Sequence, residues 1–350
     1  MITRFNVGDL NAIETRVGGW LSSCKSLSDV FIPYTSPDGT YYPNGRDPYL
    51  AFAGQMYNIP YEKLFADYKG FNGKEAKAEA KRKRQVAKPG VLGAIYRLGG
   101  GGWGRSKKGY KDHEENCQSK KDCFCPTIYD KIKTGLWGYA GNMGVEMPQE
   151  QAHEVVRMFR ETYAEIPAFW RILEEAVFDV MRGTSTTRRV GPSGCVVIDK
   201  INIFGRDPLL RMRLPSGRHL HYLDARLEDT LMPWKNSETG ADVYREALVY
   251  AGTNQDTKQW DVWTQTHGGK LFENLVQAIA RDILAVKLLK FEASDMPVVG
   301  HVHDEGITEV PNDVFSPRGD DMTAILSEPV LWAPGLLLGA ESSEDTFYHK

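Results

Sequence analysis

The 350-residue sequence lacks any run of 18 apolar residues, and its opening stretch MITRFNVGDL lacks the apolar segment of a secretory signal. It also lacks internal repeats and low-complexity tracts. Hydrophobic residues nevertheless make up 41% of the chain and aromatic residues 11%. We therefore expect no membrane span and no secretion, and we predict a soluble, cytoplasmic protein with a core large enough for two or more lobes.

Cysteine is scarce: the chain has five, an odd number, which argues against a disulfide framework. Three of them, Cys117, Cys123 and Cys125, follow His113 with the spacing H-x3-C-x5-C-x-C. These four side chains are possible zinc ligands, but their spacing matches none of the usual zinc motifs. A bound zinc ion is therefore not expected. The pattern favours an irregular insertion with free thiols near residues 106–135.

The net charge of −3 argues against a nucleic-acid-binding protein, but the distribution of charge argues for one. Between Lys74 and Lys108 there are 11 Lys or Arg residues and two Glu residues, a local charge of +9. Such a strip attracts a polyanion, because neutralised phosphates release their counterions. It is equally typical of a solvated basic helix face, and both interpretations stay open.

Hydrophobic spacing predicts a strand from Ile2 to Val7 and a helix from about Ala12 to Leu21, which Asn11 and Glu14 would begin with a capping box. Proline is unfavourable inside a helix, so we predict one helix over 74–88 and another from Pro89 to the four glycines. The remaining predicted helices cover residues 47–58, 60–68, 148–182 and 270–293. Strands are predicted between about 195 and 223, with a hairpin turn at Pro215-Ser216-Gly217.

The segment VVGHVHDEGITEV, residues 298–310, predicts a β-hairpin whose polar tip is His303-Asp304-Glu305-Gly306. The adjacent acids at the tip indicate either a solvated turn or a site for a cation. Asp9, near the end of the first strand, is the natural further ligand if the two strands lie side by side. The predicted fold class is α+β: a helical block is inserted into a smaller unit whose strands come from both ends of the chain.

Five stretches in this order resemble family A DNA polymerases, most closely those of bacteriophages: VGDLNAIETRV, KRQVAKPGVLGAIYRLGGGG, GGKLFENLVQAIARDIL, VHDE and LSEPVLWAPGLLLGAE. The resemblance spans nearly the whole chain. It implies a polymerase palm, an antiparallel sheet with helices, at 1–35 and 191–350, and a helical fingers insertion at 36–190. Only eight residues precede Asp9, so the family's thumb and 3′–5′ exonuclease domains are expected to be absent from this chain.

Carried over position by position, the resemblance implies that Asp9 and Asp304 bind two Mg²⁺ ions, with the carbonyl of Leu10 as a further ligand. Mn²⁺ is a possible substitute. Glu305 matches an acidic neighbour of these catalytic residues. Glu14 matches the residue that lies under the incoming sugar and excludes a 2′-hydroxyl, and it is also the residue that the capping box would use.

The resemblance further implies a dNTP-binding set on the fingers and a DNA-binding set on the palm. Arg84 and Lys88 match the cations that grip the triphosphate, and Leu92 stands where many members have Phe or Tyr. Tyr96 matches the aromatic near the templating base, with a core tyrosine as the alternative. The DNA-binding set is Gln277 for the minor groove, Arg281 for a backbone phosphate or a solvated surface, and His303 near the primer terminus or as a partner of Asp304.

The implied function is a template-directed DNA polymerase, a nucleotidyltransferase that acts on primer-template DNA and dNTPs. The chain is expected to be the C-terminal part of a split or truncated phage enzyme in the host cytoplasm. A separate polypeptide would then supply the thumb and possibly an exonuclease. The alternatives are a catalytically inactive remnant that still binds primer-template, and an RNA polymerase, which Glu14 disfavours.

Overall fold

A computed structural model describes residues 3–36, 38–106, 130–236, 238–253 and 260–348. The predicted cluster of His113, Cys117, Cys123 and Cys125 lies outside these residues. The described chain divides into two compact units: one is Met1–Pro48 with Tyr163–Lys350, and the other is Tyr49–Thr162. Both units contain helices and strands. The helices of the described ranges include none that is both long enough and apolar enough to cross a membrane.

The helices, in chain order, are α1 Ile13–Leu21, α2 Lys25–Ser28, α3 Pro48–Tyr57, α4 Tyr61–Lys69, α5 Lys74–Ala94, α6 Gly135–Asn142, α7 Gln149–Thr162, α8 Glu165–Arg182, α9 Gly268–Glu292 and α10 Gly319–Ser327. The strands are β1 Thr3–Leu10, β2 Tyr34–Thr35, β3 Tyr41–Tyr42, β4 Trp103–Ser106, β5 Asp130–Lys133, β6 Thr187–Val190, β7 Val196–Ile201, β8 Leu209–Arg213, β9 His219–Lys235, β10 Asp242–Thr253, β11 Trp260–Thr266, β12 Val298–Val302, β13 Glu305–Pro311 and β14 Ala340–Asp345.

The larger unit contains a four-stranded antiparallel sheet in the order β12-β13-β1-β14. Helices α9 and α10 cover one face, and α9 also packs on α1 and α8. Gly8 of β1 permits the close packing of α10, because a Cβ there would lie 2.6 Å from Met322 Sδ. As predicted, the first strand and the late hairpin share one sheet although nearly the whole chain separates them.

A second antiparallel sheet of the same unit has six strands in the order β11-β10-β9-β8-β7-β6. It includes the predicted hairpin, in which Leu214 N–H donates to the Arg218 carbonyl at 2.7 Å and Gly217 adopts a φ of 93°. Two carboxylate contacts link this hairpin to α9: Arg218 Nε and Ser216 Oγ donate to Asp282 at 2.6 and 2.5 Å. The α+β class with antiparallel sheets is therefore confirmed.

The smaller unit is mainly helical, as predicted for the inserted block. Its helix α5 corrects the prediction of a break at Pro89, because it runs unbroken from Lys74 to Ala94. Packing explains this continuity: Gly90 lies so close to α7 that a Cβ there would be 2.5 Å from Val155 Cγ1. Burial against α7 offsets the backbone hydrogen bond that proline cannot donate. The range predicted for the fingers, 36–190, is wider than this unit and stays a prediction.

The predicted capping box at the start of α1 is wrong. The residue before the helix is Ala12, which has a φ of 49° and makes no side-chain cap. The first strand also runs three residues further than expected, so Asp9 lies within β1 rather than after it. The Asn11 side chain instead donates to Glu341 Oε1 at 3.4 Å. Glu14 is therefore not used as a cap, and its carboxylate is directed elsewhere.

Candidate active site

Two neighbouring strands bring Asp9 and the His303–Asp304 turn to the same end of the four-stranded sheet. Asp9 is directly opposite Glu305, and the Leu10 N–H donates to the Asp304 carbonyl at 3.3 Å. The turn has two residues, because Val302 already pairs with Glu305, and His303 adopts a φ of 54°. Since a left-handed backbone is costly for a non-glycine residue, this turn is held by the pairing around it.

The predicted four-residue tip is therefore corrected to two residues. Gly306 lies in β13 opposite Gly8, and a Cβ on Gly306 would approach Phe291 Cε2 to 2.9 Å. This glycine allows the strand to pack closely against α9 and does not form the turn. The close packing positions the hairpin, and Asp304 with it, relative to the helix.

Sequence reasoning missed Glu341, which β14 places opposite Asp9 on the other side of β1. Residues directly opposite in antiparallel strands project from the same face, so Glu305, Asp9 and Glu341 form a row of three acids. Like charges in such a row repel each other, and a cation beside them relieves this repulsion. Glu341 belongs to the C-terminal stretch that resembles the polymerases, but its register with Asp9 follows only from the fold.

Glu305 differs from Asp9 in its surroundings, since its side chain is 7% exposed whereas Asp9 is exposed. The Tyr348 hydroxyl donates a hydrogen bond to Glu305, and this bond raises the pKa of Tyr348. The C-terminal segment thus reaches the row of acids. Tyr348 is a second residue near the site that local sequence patterns do not indicate.

The residues present fit Mg²⁺ if substrate phosphates and water supply the remaining ligands. Within the described ranges, no three His, Cys, Asp or Glu side chains converge closely enough to hold a metal ion alone. Mg²⁺ in enzymes that act on nucleotides is commonly held by one or two carboxylates together with substrate phosphates and water. Asp9 and Asp304, at neighbouring strand ends, provide such a partial set of hard oxygen ligands.

A cleft of about 360 Å³ lies beside Asp304 within the larger unit, and Asp9 is not among its lining residues. Helices α1 and α9 and the hairpin turn form its walls, so it combines three segments that are far apart in sequence. The cleft brings together five of the predicted site residues. Its lining comprises Ile13, Glu14, Gln277, Ala280, Arg281, His303 and Asp304.

The two sides of the cleft are joined by one polar contact, in which the Gln277 side-chain amide donates to the Glu14 carboxylate. Glu14 comes from the first turn of α1, and Gln277 comes from the middle of α9. Arg281 follows Gln277 by four residues, so both project from the same face of α9. The face therefore presents an amide and a guanidinium to whatever occupies the cleft.

Arg16 was not predicted as a site residue, yet it fixes the backbone between Asp9 and Glu14. Its guanidinium is 2% exposed and donates to the carbonyls of Asn11, Asn44 and Leu337 at 2.7, 2.9 and 3.1 Å. Its Cζ also lies 4.2 Å from the centre of the Phe31 ring. Burial lowers the pKa of Arg16 to about 10. The guanidinium thus satisfies three backbone acceptors that come from separate segments of the chain.

The predicted dNTP-binding residues other than Glu14 belong to the smaller unit. Arg84 and Lys88 lie one turn apart on α5, and both approach the ring of Tyr49. Leu92 is half-buried one turn further on. Tyr96 lies two residues beyond Ala94, the last helical residue, in a turn where its N–H donates to the Gly93 carbonyl at 3.2 Å. Arg84, Lys88 and Leu92 thus lie at successive turns of α5, Tyr96 lies in the turn after it, and the roles of all four stay predictions.

Comparisons with known proteins give the relatives of this chain. No protein-family profile matches it. The chain is 28% identical over 352 residues to the DNA polymerase of Bacillus phage SP02, and the match covers 99% of the chain. The match confirms the resemblance to phage DNA polymerases. The chain spans 41% of that relative's length.

Among solved structures, the POL domain of Pol1 from M. smegmatis, in complex with DNA primer-template and dNTP, matches with a TM-score of 0.47. The identity is 12%, and the match covers 98% of this chain and 39% of that chain.

Proposed function

We propose that this chain is the catalytic part of a phage-type, family A DNA polymerase and extends a primer 3′-hydroxyl with the dNTP that the template specifies. The new bond joins the 3′-oxygen to the α-phosphorus, and pyrophosphate leaves. The observation that carries the proposal is the cleft, in which five residues named from the resemblance meet. In this cleft, carboxylates, an amide, a guanidinium and an imidazole converge from three separate segments. A solvated turn alone would not bring these groups together.

The proposal assigns two Mg²⁺ ions, or Mn²⁺ in their place, to Asp9, Asp304 and the carbonyl of Leu10. When bound, these ions would acidify the primer hydroxyl and neutralise the leaving pyrophosphate. The chain's own contribution is to keep the two carboxylates at neighbouring strand ends, through the Leu10 to Asp304 backbone bond. Glu305, buried beside Asp9, is the remaining proposed catalytic acid.

Within the cleft, the proposal gives each polar residue a separate contact. Glu14 lies under the incoming sugar and disfavours a 2′-hydroxyl, and Gln277 reads minor-groove acceptors that all base pairs share. Arg281 contacts a backbone phosphate. His303 approaches the primer terminus. The Gln277 to Glu14 hydrogen bond supports this arrangement, because it keeps both side chains directed into the same cleft.

The triphosphate is assigned to Arg84 and Lys88, a guanidinium fork and a point charge on one helix face. Leu92 on α5 and Tyr96 in the turn after it complete the proposed nucleotide-binding surface, with Tyr96 near the templating base. In the proposal, residues 1–35 and 191–350 form the palm and residues 36–190 the fingers.

The proposed partners are primer-template DNA, dNTPs and a separate polypeptide with a thumb and possibly a 3′–5′ exonuclease, in the cytoplasm of the host cell. Phosphate contacts from a thumb would add to duplex affinity at physiological salt. Addition of that polypeptide is therefore expected to make primer extension by this chain stronger and more processive.

Primer extension tests the proposal. Four primer-templates that differ only in the templating base are each offered the four dNTPs separately, with Mg²⁺, low salt and a high concentration of the chain. We expect each template to accept its complementary dNTP, and Asp9→Asn to abolish addition without loss of DNA binding. Primer-template binding with no addition under all conditions would overturn the proposal in favour of an inactive remnant.

A further inference from the structure

The two cations assigned to the triphosphate share an aromatic neighbour. Arg84 Cζ lies 5.1 Å from the centre of the Tyr49 ring, and Lys88 Nζ lies 5.8 Å from the same centre. A second ring, that of Tyr68, has its centre 5.6 Å from Arg84 Cζ. Helix α3 supplies Tyr49 and helix α4 supplies Tyr68, whereas both cations come from α5.

This sharing offsets an unfavourable feature of the helix. Arg84 and Lys88 are four residues apart, so their like charges are neighbours on α5 and repel each other. The face of an aromatic ring carries negative electrostatic potential and attracts a cation within about 6 Å of its centre. Tyr49 meets this distance for both groups, and it therefore lowers the free energy of holding two positive charges side by side.

The position of Tyr49 is itself fixed by packing one turn further along α3. Phe52 is fully buried, and its ring makes an edge-to-face contact with Phe159 of α7 at 5.9 Å between centres. Phe52 also lies against Gly90 of α5, since a Cβ on Gly90 would be in van der Waals contact with Phe52 Cε1 at 3.4 Å. Gly90 is two residues from Lys88. The same packing thus anchors α3 beside the turn that carries the cations.

We infer that Tyr49 is a positioning residue, whose ring holds Arg84 and Lys88 in the orientation that receives the triphosphate of the nucleotide. The inference rests on the proposed function. A long cationic side chain loses rotamer freedom when it binds phosphate, and a chain already held on a ring loses less. The ring acts through the cations and is not itself assigned a contact with phosphate.

Calorimetric titration with inorganic tripolyphosphate tests the inference without any need for polymerase activity. We expect Tyr49→Leu to weaken tripolyphosphate binding by roughly three- to tenfold, in line with one or two lost cation–π contacts. Tyr49→Phe keeps the ring and should bind within about twofold of the natural protein. This rescue by the conservative variant separates a role of the ring from a role of the hydroxyl.

The chain offers a matched control on the same helix. Lys83 Nζ lies 5.5 Å from the centre of the Tyr57 ring, and Lys83 is not assigned to the triphosphate. Tyr57→Leu therefore removes a similar contact at a similar cost in stability, and it should leave tripolyphosphate affinity unchanged. Thermal unfolding of each variant establishes that the comparison is between folded proteins.

The outcomes distinguish the inference from the proposed function. If Arg84→Ala and Lys88→Ala weaken tripolyphosphate binding but Tyr49→Leu does not, the positioning role is wrong and the triphosphate site stands. If none of the three substitutions weakens tripolyphosphate binding, both the positioning role of Tyr49 and the triphosphate site are wrong. If Tyr49→Leu weakens binding and Tyr49→Phe does not, the inference holds, and primer extension then decides the polymerase function by itself. In an active protein, Tyr49→Leu should raise the KM for dNTP while primer-template affinity stays the same.

Discussion

The Gln277 side-chain amide donates a hydrogen bond to the Glu14 carboxylate, although the two residues are 263 positions apart. The bond crosses the cleft between α1 and α9, and it gives Glu14 a partner that the sequence did not indicate. The carboxylate thus has a preferred orientation before a nucleotide binds. Discrimination between sugars should then depend on both residues.

Replacing Glu14 by Ala should relax discrimination against ribonucleotides. The change removes the group proposed to exclude a 2′-hydroxyl, and contacts of this kind contribute about 1–3 kcal/mol, or roughly 10- to 200-fold. The measurement is the ratio of kcat/KM for dNTP to kcat/KM for the matching rNTP. Gln277→Ala should lower the same ratio by a smaller factor, because it leaves the carboxylate in place but removes its orienting bond.

Glu62→Ala, on the exposed part of α4, is the control for the sugar measurement and should leave the ratio unchanged. An unaltered ratio in Glu14→Ala would contradict the assignment of Glu14 to the sugar.

Arg281→Ala should weaken primer-template binding for every DNA sequence to a similar extent. A single lost phosphate contact reduces the slope of log affinity against log salt by about one. Fluorescence anisotropy at several salt concentrations measures this slope. Lys290→Ala, near the end of the same helix, removes a cation that is paired with Glu328 and should not change the slope.

Two glycines in helices of the smaller unit should respond in opposite directions to alanine. Helix propensity alone favours Gly→Ala by about 1 kcal/mol. At Gly90 the new Cβ would lie 2.5 Å from Val155 Cγ1, and overpacking of this kind typically costs about 1–3 kcal/mol. Gly141 in α6 has nothing within 4 Å of the new Cβ.

Gly90→Ala should therefore lower the free energy of unfolding, whereas Gly141→Ala should raise it by up to about 1 kcal/mol. Chemical denaturation of the two variants measures both values. Equal stabilisation by the two substitutions would contradict the close contact between α5 and α7.

Stability should increase with pH through the titration of Lys287. This side chain is fully buried, its Nζ donates to the Glu328 carbonyl at 2.5 Å, and burial lowers its pKa to about 8. Above pH 8 the folded protein holds fewer protons at this site than the unfolded chain, in which lysine titrates near 10.4. Raising the pH from 8 to 10 should therefore add about 2 kcal/mol to the free energy of unfolding through this group.

Comparison with Lys287→Met isolates the contribution of Lys287, since other titrating groups are common to both proteins. The natural protein should gain stability relative to Lys287→Met as the pH rises from 8 to 10. Lys63→Met, at an exposed position of α4, should show no such trend. A constant difference between the natural protein and Lys287→Met would mean that Lys287 is not desolvated in the fold.

Periodicity predicted the elements that obey a simple repeat. The long helix α9 is the clearest case, because Leu271, Leu275, Ile279 and Leu284 were expected on its buried side and are buried. The hairpin of β12 and β13 was also expected, since two β-prone runs flank a polar turn. Periodicity did not show that Asp9 and Asp304 belong to one site. That prediction needed the ordered set of motifs that resembles the polymerases.

Local rules failed where tertiary contacts decide. Proline at 89 indicated a break, but packing of Gly90 against α7 keeps α5 continuous. Glu14 was expected to cap α1, but the backbone at Ala12 is left-handed and the carboxylate turns to Gln277. Glu341 and Tyr49 could not be predicted, because strand register and ring-to-cation distances arise only once distant segments meet.

The measurement that tests the polymerase assignment most directly is single-turnover nucleotide addition by the Asp304→Asn variant, compared with the control variant Asp320→Asn. Asp304 lines the cleft, whereas Asp320 is exposed on the first turn of α10. With primer-template and Mg²⁺ present, we expect Asp304→Asn to lower the rate of addition by about a hundredfold or more, because it removes a charge that stabilises the transition state. DNA affinity should stay within about twofold of the natural protein, and Asp320→Asn should add nucleotides normally. Near-normal addition by Asp304→Asn would contradict the assignment of this site.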